Sequence, residues 1–114
     1  MNEIEFELNR KSALGACACG IEFSIGDQKG TIRSGEKVER MIECKRMTLK
    51  LVLHATLGLG KDAVAEVEID PPPTARRVRV DFAVRMNKTA VMIPLMTLFK
   101  PPMFIKIEGV DYLA

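Results

Sequence analysis

Three cysteines and a single histidine are the side chains of this 114-residue chain best suited to metal or covalent chemistry. Cys17 and Cys19 are two residues apart, and in an extended strand such side chains point the same way, so both sulfurs could face one metal ion. Cys44 and His54 could complete a tetrahedral set, since zinc accepts thiolate and imidazole together. The usual structural zinc sites hold two to four residues between their cysteines, however, whereas only Ala18 stands between Cys17 and Cys19. Small thiols filling a crowded strand are the simpler account, and the expectation is no resident metal or cofactor. A metal-binding or redox role through Cys17, Cys19 and Cys44 stands as an alternative. His54 as a general base would need a nucleophile beside it and a third group to orient the ring. No local signature marks such an arrangement, so no catalytic residue is assigned and the chain is not expected to be an enzyme.

The segment Gly58-Leu59-Gly60-Lys61-Asp62 has the flavour of a phosphate-binding loop but lacks its parts. The loop requires a glycine where Ala55 stands and a serine or threonine where Asp62 stands. It therefore reads as a turn. Arg77, Arg79 and Arg85 alternate along one stretch, with Arg76 and Lys88 at its ends, and arginine makes forked contacts to phosphate. That stretch, residues 76–88, is the candidate for a polyanion-binding strand. Asp81 interrupts the row, and Glu66 and Glu68 could pair with it across a hairpin. Binding of single strands also needs aromatic stacking platforms, and the chain has one tyrosine, five phenylalanines and no tryptophan. A solvated face laced with ion pairs is the preferred reading, as it is for Glu3, Glu5 and Glu7.

Apolar side chains concentrate near the C-terminus. Met92, Leu95, Met96 and Phe99, followed by Met103 and Phe104, fall within a run that is apolar on both parities. Either a central strand covered on both faces or an exposed contact surface would account for it. Methionine suits surfaces that meet loosely shaped apolar partners, so these six residues are the candidate partner-binding set.

The elements that would position these groups follow from a period of two. Ile4, Phe6 and Leu8 alternate with Glu3, Glu5 and Glu7, giving a strand with one dry and one wet face. The same alternation recurs over residues 16–25, 30–33, 38–44, 47–53, 63–69, 77–86 and 104–108, with a further strand over 90–99 weakened by Pro94. Gly26 and Gly30 flank a polar hairpin tip. Asp70-Pro71-Pro72-Pro73-Thr74 lacks three successive backbone donors and can only connect strands. Residues 36–57 also hold good helix formers, and a helix there is the main competitor to the strand reading. Eight or nine short strands separated by turns point to an all-β fold, an antiparallel β-sandwich formed as one domain over residues 1–114.

Composition bounds the remaining choices. With 47% hydrophobic and 28% charged residues the chain can build a core, which sets disorder aside. A net charge of +2 neither recruits nor excludes a polyanion. No apolar stretch approaches the roughly 20 residues that span a bilayer, so no membrane insertion is expected. An odd number of cysteines without an export signal suggests reduced thiols and a cytoplasmic location, unless the chain is a piece of a longer, membrane-tethered parent.

The stretch Phe23-Ser24-Ile25-Gly26-Asp27-Gln28-Lys29-Gly30-Thr31-Ile32, the Gly35 turn, the strand over residues 47–53 and the strands over 63–69 and 78–84 together resemble the PEGA-like group of small β-sandwich modules of bacterial proteins. The pattern covers residues 21–84. It departs from that group at Glu43-Cys44-Lys45-Arg46, where a Pro-Gly turn would stand. The resemblance implies a non-catalytic accessory module and assigns no residue a role. The expected function is thus a non-enzymatic interaction module acting through a sheet edge or the apolar segment 90–104, with homodimerisation one form of it. Nucleic-acid binding through residues 76–88 is the alternative from a different class.

Overall fold

The computed structural model describes residues 3–12, 20–54, 62–86 and 103–113. These form eight strands: β1 (Glu3–Arg10), β2 (Ile21–Ile25), β3 (Gln28–Ile32), β4 (Lys37–Glu43), β5 (Met47–Leu53), β6 (Ala63–Ile69), β7 (Arg77–Met86) and β8 (Met103–Leu113). They assort into two four-stranded sheets, ordered β4-β1-β7-β8 and β3-β2-β5-β6. The expected all-β sandwich is the fold. Residues 36–54, the described part of the segment that holds good helix formers, contain β4 and β5 and no helix, because the alternation of Leu49, Leu51 and Leu53 with Lys50 and Val52 buries one set and leaves the other outside.

One apolar cluster joins the sheets, drawing Ile4, Phe6, Leu8, Val78, Val80 and Phe82 from the first and Ile21, Phe23, Ile25, Leu49 and Leu51 from the second. Each set is a single parity of its strand. β1 lies between β4 and β7, antiparallel to the first and parallel to the second, so the sandwich is not purely antiparallel. The parallel pair arises because the proline-rich connector carries the chain from β6 in one sheet to β7 in the other. β6 and β7 therefore form no hairpin, contrary to the sequence expectation. Ala75 N–H closes a turn on the Pro72 carbonyl at 3.0 Å within that connector.

Three further details differ from the sequence reading. The hairpin between β2 and β3 turns on two residues, Gly26 and Asp27, with Ile25 opposite Gln28. Gly26 takes φ 58°, the left-handed value such a tight loop needs at its first position. Gly30 is not part of the tip; it sits within β3, opposite Phe23, whose ring lies where a Gly30 side chain would be. β1 runs on to Arg10, which follows the inward parity of Ile4, Phe6 and Leu8 and is 3% exposed. Its Nη1 donates to the Ile32 carbonyl at 3.0 Å, tying the end of β1 to the end of β3 across the sandwich. Lastly, β8 extends well past Gly109, because a bulge lets it continue, as described below.

The Phe23 contact generates a test. An added Cβ at Gly30 would lie 2.7 Å from Phe23 Cζ. The ring is buried, and the Arg40 guanidinium lies 5.8 Å from its centroid, so it has little room to move aside. Gly30→Ala is expected to lower stability by about 1–3 kcal/mol through overpacking. Urea unfolding should show a lower midpoint at an unchanged m value.

Candidate functional site

β8 is the longest strand and forms one edge of its sheet, paired with β7 alone among the described residues. Its register with β7 breaks once: Gly109 lies opposite Asp81, while Ile107 lies opposite Phe82, so Glu108 is an extra residue. A bulge of this kind swaps the parity of the side chains on either side of it. Ile105 and Ile107 then face the core together with Val110 and Tyr112, although their numbering alone would set them on opposite faces. Phe104, Lys106, Asp111 and Leu113 take the outer face. Without the bulge, one half of β8 would turn its aliphatic side chains to water.

The result is an edge strand with apolar groups at both ends and charges between. Phe104 (41%), Tyr112 (38%) and Leu113 (38%) are three of the five large apolar residues exposed among the described residues. The other two, Met41 and Val64, stand on separate strands. Tyr112 follows the inward parity, but at the sheet edge its ring reaches over the end of β6, where its hydroxyl accepts the Asp70 N–H at 2.9 Å. Glu108 projects toward Lys11, with an ion pair of 3.0 Å, and Arg85 lies 3.8 Å away. The hydrogen bond from Lys11 is the main cause holding the Glu108 carboxyl below its ordinary range.

The arginine row has found partners of another kind. In the parallel β1–β7 register Arg77 stands opposite Glu5 and Arg79 opposite Glu7. Glu7 Oε1 accepts from Arg77 Nη1 and Oε2 from Arg79 Nε, both at 2.8 Å, and Asn9 Nδ2 donates to Oε2 at 2.8 Å. Arg77 Nη2 also reaches Glu5 at 2.9 Å. The expected partners Glu66 and Glu68 belong to the other sheet; Glu68 pairs instead with Arg46. Glu7 is only 2% exposed, although its parity is that of the wet face. Asn9 is the first cause lowering the Glu7 pKa, with Arg79 adding to it against the opposing cost of burial. Glu39 lies directly opposite Glu7 on β4, and Lys37, 3.2 Å from Glu39 and 3.8 Å from Glu7, offsets that like-charge pair. Sequence reasoning missed Glu7. A glutamate on a wet face looks the same whether or not long neighbours lie over it.

The metal candidates do not converge. Cys44 follows β4 and His54 follows β5, so the seven residues of β5 separate them, roughly 20 Å of extended chain. The Cys44 sulfur lies 4.0 Å from the Pro72 carbonyl. His54 bridges two carboxylates, with Nε2 2.8 Å from Glu22 and Nδ1 3.2 Å from Asp62. The hydrogen bond to Glu22, then that to Asp62, raises its pKa above the ordinary 6.5. Cys17 and Cys19 lie outside the described residues, among which no three His, Cys, Asp or Glu side chains gather into a metal-holding group. Met92, Leu95, Met96 and Phe99 also lie outside them, as does Lys88, while Met103 opens β8.

One open cleft of about 450 Å³ lies at the β2–β3 turn, lined by Glu3, Asp27, Met41, Glu43, Lys45 and Met47 among others. Glu3 and Glu43 are directly opposite across β1 and β4, and Lys45 pairs with Glu43 at 3.2 Å. Nothing there resembles a nucleophile–base pair. Among the described residues no helix is long and apolar enough to cross a membrane. Compared with known proteins, the chain matches no family model, no curated protein and no solved structure.

Two outcomes follow from these charges. Glu7→Gln removes a buried carboxylate from partly solvated arginines, and a loss of about 1–3 kcal/mol near neutral pH is expected. Because the folded pKa is lowered, the contribution of Glu7 is full above the ordinary 4.5 and fades as pH falls through the folded value. Urea titrations at pH 7 and pH 3 should show the gap between variant and wild type narrowing in acid. For His54 the sign reverses: its contribution is present below 6.5 and is lost as pH rises through the raised value. An NMR titration of the imidazole should give a midpoint above 6.5, and Glu22→Gln should bring it down.

Proposed function

We propose that this domain is a non-catalytic interaction module that meets its partner along the edge of β8 that no other strand pairs among the described residues. Unpaired N–H and C=O groups on an edge strand can accept another strand, and main-chain bonds then supply affinity while alternate side chains supply selectivity. The single observation that carries this reading is the placement of Phe104, Tyr112 and Leu113 on one edge strand. Two of the other three edge strands, β4 and β3, are less inviting, and Tyr112 reaches over the end of the third, β6. β4 presents Lys37, Glu39, Arg40 and Glu43, and β3 has only five residues. Charge and brevity are two ways in which proteins discourage strand addition.

The fate of the arginines supports a protein partner over a polyanion. Arg77 and Arg79 are neutralised by Glu5 and Glu7, and phosphate would have to displace those carboxylates before gaining anything. The resemblance to PEGA-like accessory modules leads in the same direction. The apolar segment 90–104 of the sequence reading, of which only the stretch from Met103 is described, is the second candidate contact.

A selection from a random ten-residue peptide library tests the reading. Peptides of alternating apolar and polar residues should be recovered. Their affinity should fall at least about tenfold, or 1.4 kcal/mol, for a Phe104→Asp/Leu113→Asp variant, measured by fluorescence anisotropy. Peptides that bind wild type and variant equally would place the interaction elsewhere and overturn the proposal.

A further inference from the structure

Resting on the edge reading above, we propose that the partner is a second copy of this chain, joined β8 to β8 about a two-fold axis between Glu108 and Gly109. An axis perpendicular to the sheet would merge the two four-stranded sheets into one continuous eight-stranded sheet while keeping each face on its own side. Such a contact uses the same strand twice, so β8 must be complementary to itself.

The bulge sets the register. In a regular antiparallel self-pair, some residue stands opposite its own copy, because only residues of like parity share a face. β8 is not regular: the extra Glu108 shifts its inward set from Ile105 and Ile107 to Val110 and Tyr112. Matching inward to inward across the bulge then requires the axis to fall between two residues. Placed between Glu108 and Gly109, it sets Ile107 opposite the partner's Val110 and Ile105 opposite the partner's Tyr112. The outer face matches as well. Lys106 falls opposite the partner's Asp111, and Phe104 opposite the partner's Leu113, so these two charges meet their opposites and these two apolar groups meet each other, while Glu108 falls opposite the partner's Gly109.

Other placements fail on chemistry. Centring the axis on Glu108 itself sets Lys106 against the partner's Val110 and Ile105 against the partner's Asp111. Moving it between Gly109 and Val110 sets Lys106 against the partner's Leu113 and Glu108 against the partner's Asp111. Moving it between Ile107 and Glu108 leaves Asp111 facing the partner's Phe104. Only one placement joins the two opposite charges and the two exposed apolar ends at once. Lys106, Asp111, Phe104 and Leu113 are all exposed in the single chain and available for the contact.

Charge reversal tests both the contact and its register. Sedimentation equilibrium of the full chain should show a dimer for wild type. Lys106→Asp alone places two Asp–Asp contacts across the axis, and Asp111→Lys alone places two Lys–Lys contacts. Each should loosen self-association about tenfold. Mixing the two variants restores both Lys–Asp contacts, so a mixed dimer should form at close to wild-type strength, and raised salt should shrink all these differences. Circular dichroism checks that each variant is folded. Should Asp111→Lys, which stands opposite Arg79, fail to fold, Lys106→Ala must still loosen the dimer less than Lys106→Asp. A wild type that stays monomeric at every concentration overturns the self-pairing, as does a dimer indifferent to both variants. Either result leaves the edge reading standing if selected peptides still lose affinity for Phe104→Asp/Leu113→Asp, and removes it if they do not.

Discussion

The dry interface between the two sheets is the constraint on which the rest of this structure depends. Phe6, Phe23 and Phe82 are all sealed within it, and each fixes the parity of its strand. Once one side chain of a strand is committed to that interface, every second neighbour is committed with it, and a slip of one residue would turn the whole set outward. Features that break the alternation therefore carry information. Arg10 keeps the inward parity, and its Nη1 donates to the Ile32 carbonyl, which gives this buried charged group a hydrogen bond. The extra residue at Glu108 reconciles two halves of β8 whose aliphatic side chains fall on opposite parities.

Outside the interface the molecule is organised by charge. β1 is flanked on both sides, and its glutamates serve two neighbours of different sign: Glu39 on β4 repels Glu7, while Arg79 on β7 attracts it. The parallel pairing of β1 and β7 thus has an electrostatic component in addition to its ladder. It places Glu5 and Glu7 in step with Arg77 and Arg79 at every second position. A stripe of arginines that would look basic in isolation becomes internally balanced, which moves attention from the faces of the sheets to their edges.

Those edges are treated unequally. On one side β4 is drawn to β3 by Gln28, whose side chain donates to the Met41 carbonyl, and to β2 by Arg40 over the Phe23 ring. On the other side Tyr112 reaches from β8 to the Asp70 N–H beyond β6. The first closure places charged residues along β4, whereas the second leaves Phe104, Tyr112 and Leu113 partly open to solvent. Edge strands that are long and partly apolar are rare in isolated domains because they invite further pairing.

Much of this was written in the order of the residues. The all-β class, the β2–β3 hairpin, the strand character of residues 47–53 and 77–84 and the connecting role of the prolines all follow from local sterics and a period of two. Those rules act between neighbours in sequence and need no knowledge of the partner strand. Which strand lies beside which is a different matter. The sequence reading set Arg77 and Arg79 against Glu66 and Glu68, because consecutive strands often pair; the chain instead crosses to the other sheet and meets Glu5 and Glu7. Burial of Glu7, the distance between Cys44 and His54 and the bulge at Glu108 likewise arise from contacts between residues far apart along the chain. Alternation determines which side of a strand is dry, but only the assembled sheets decide what covers the other side.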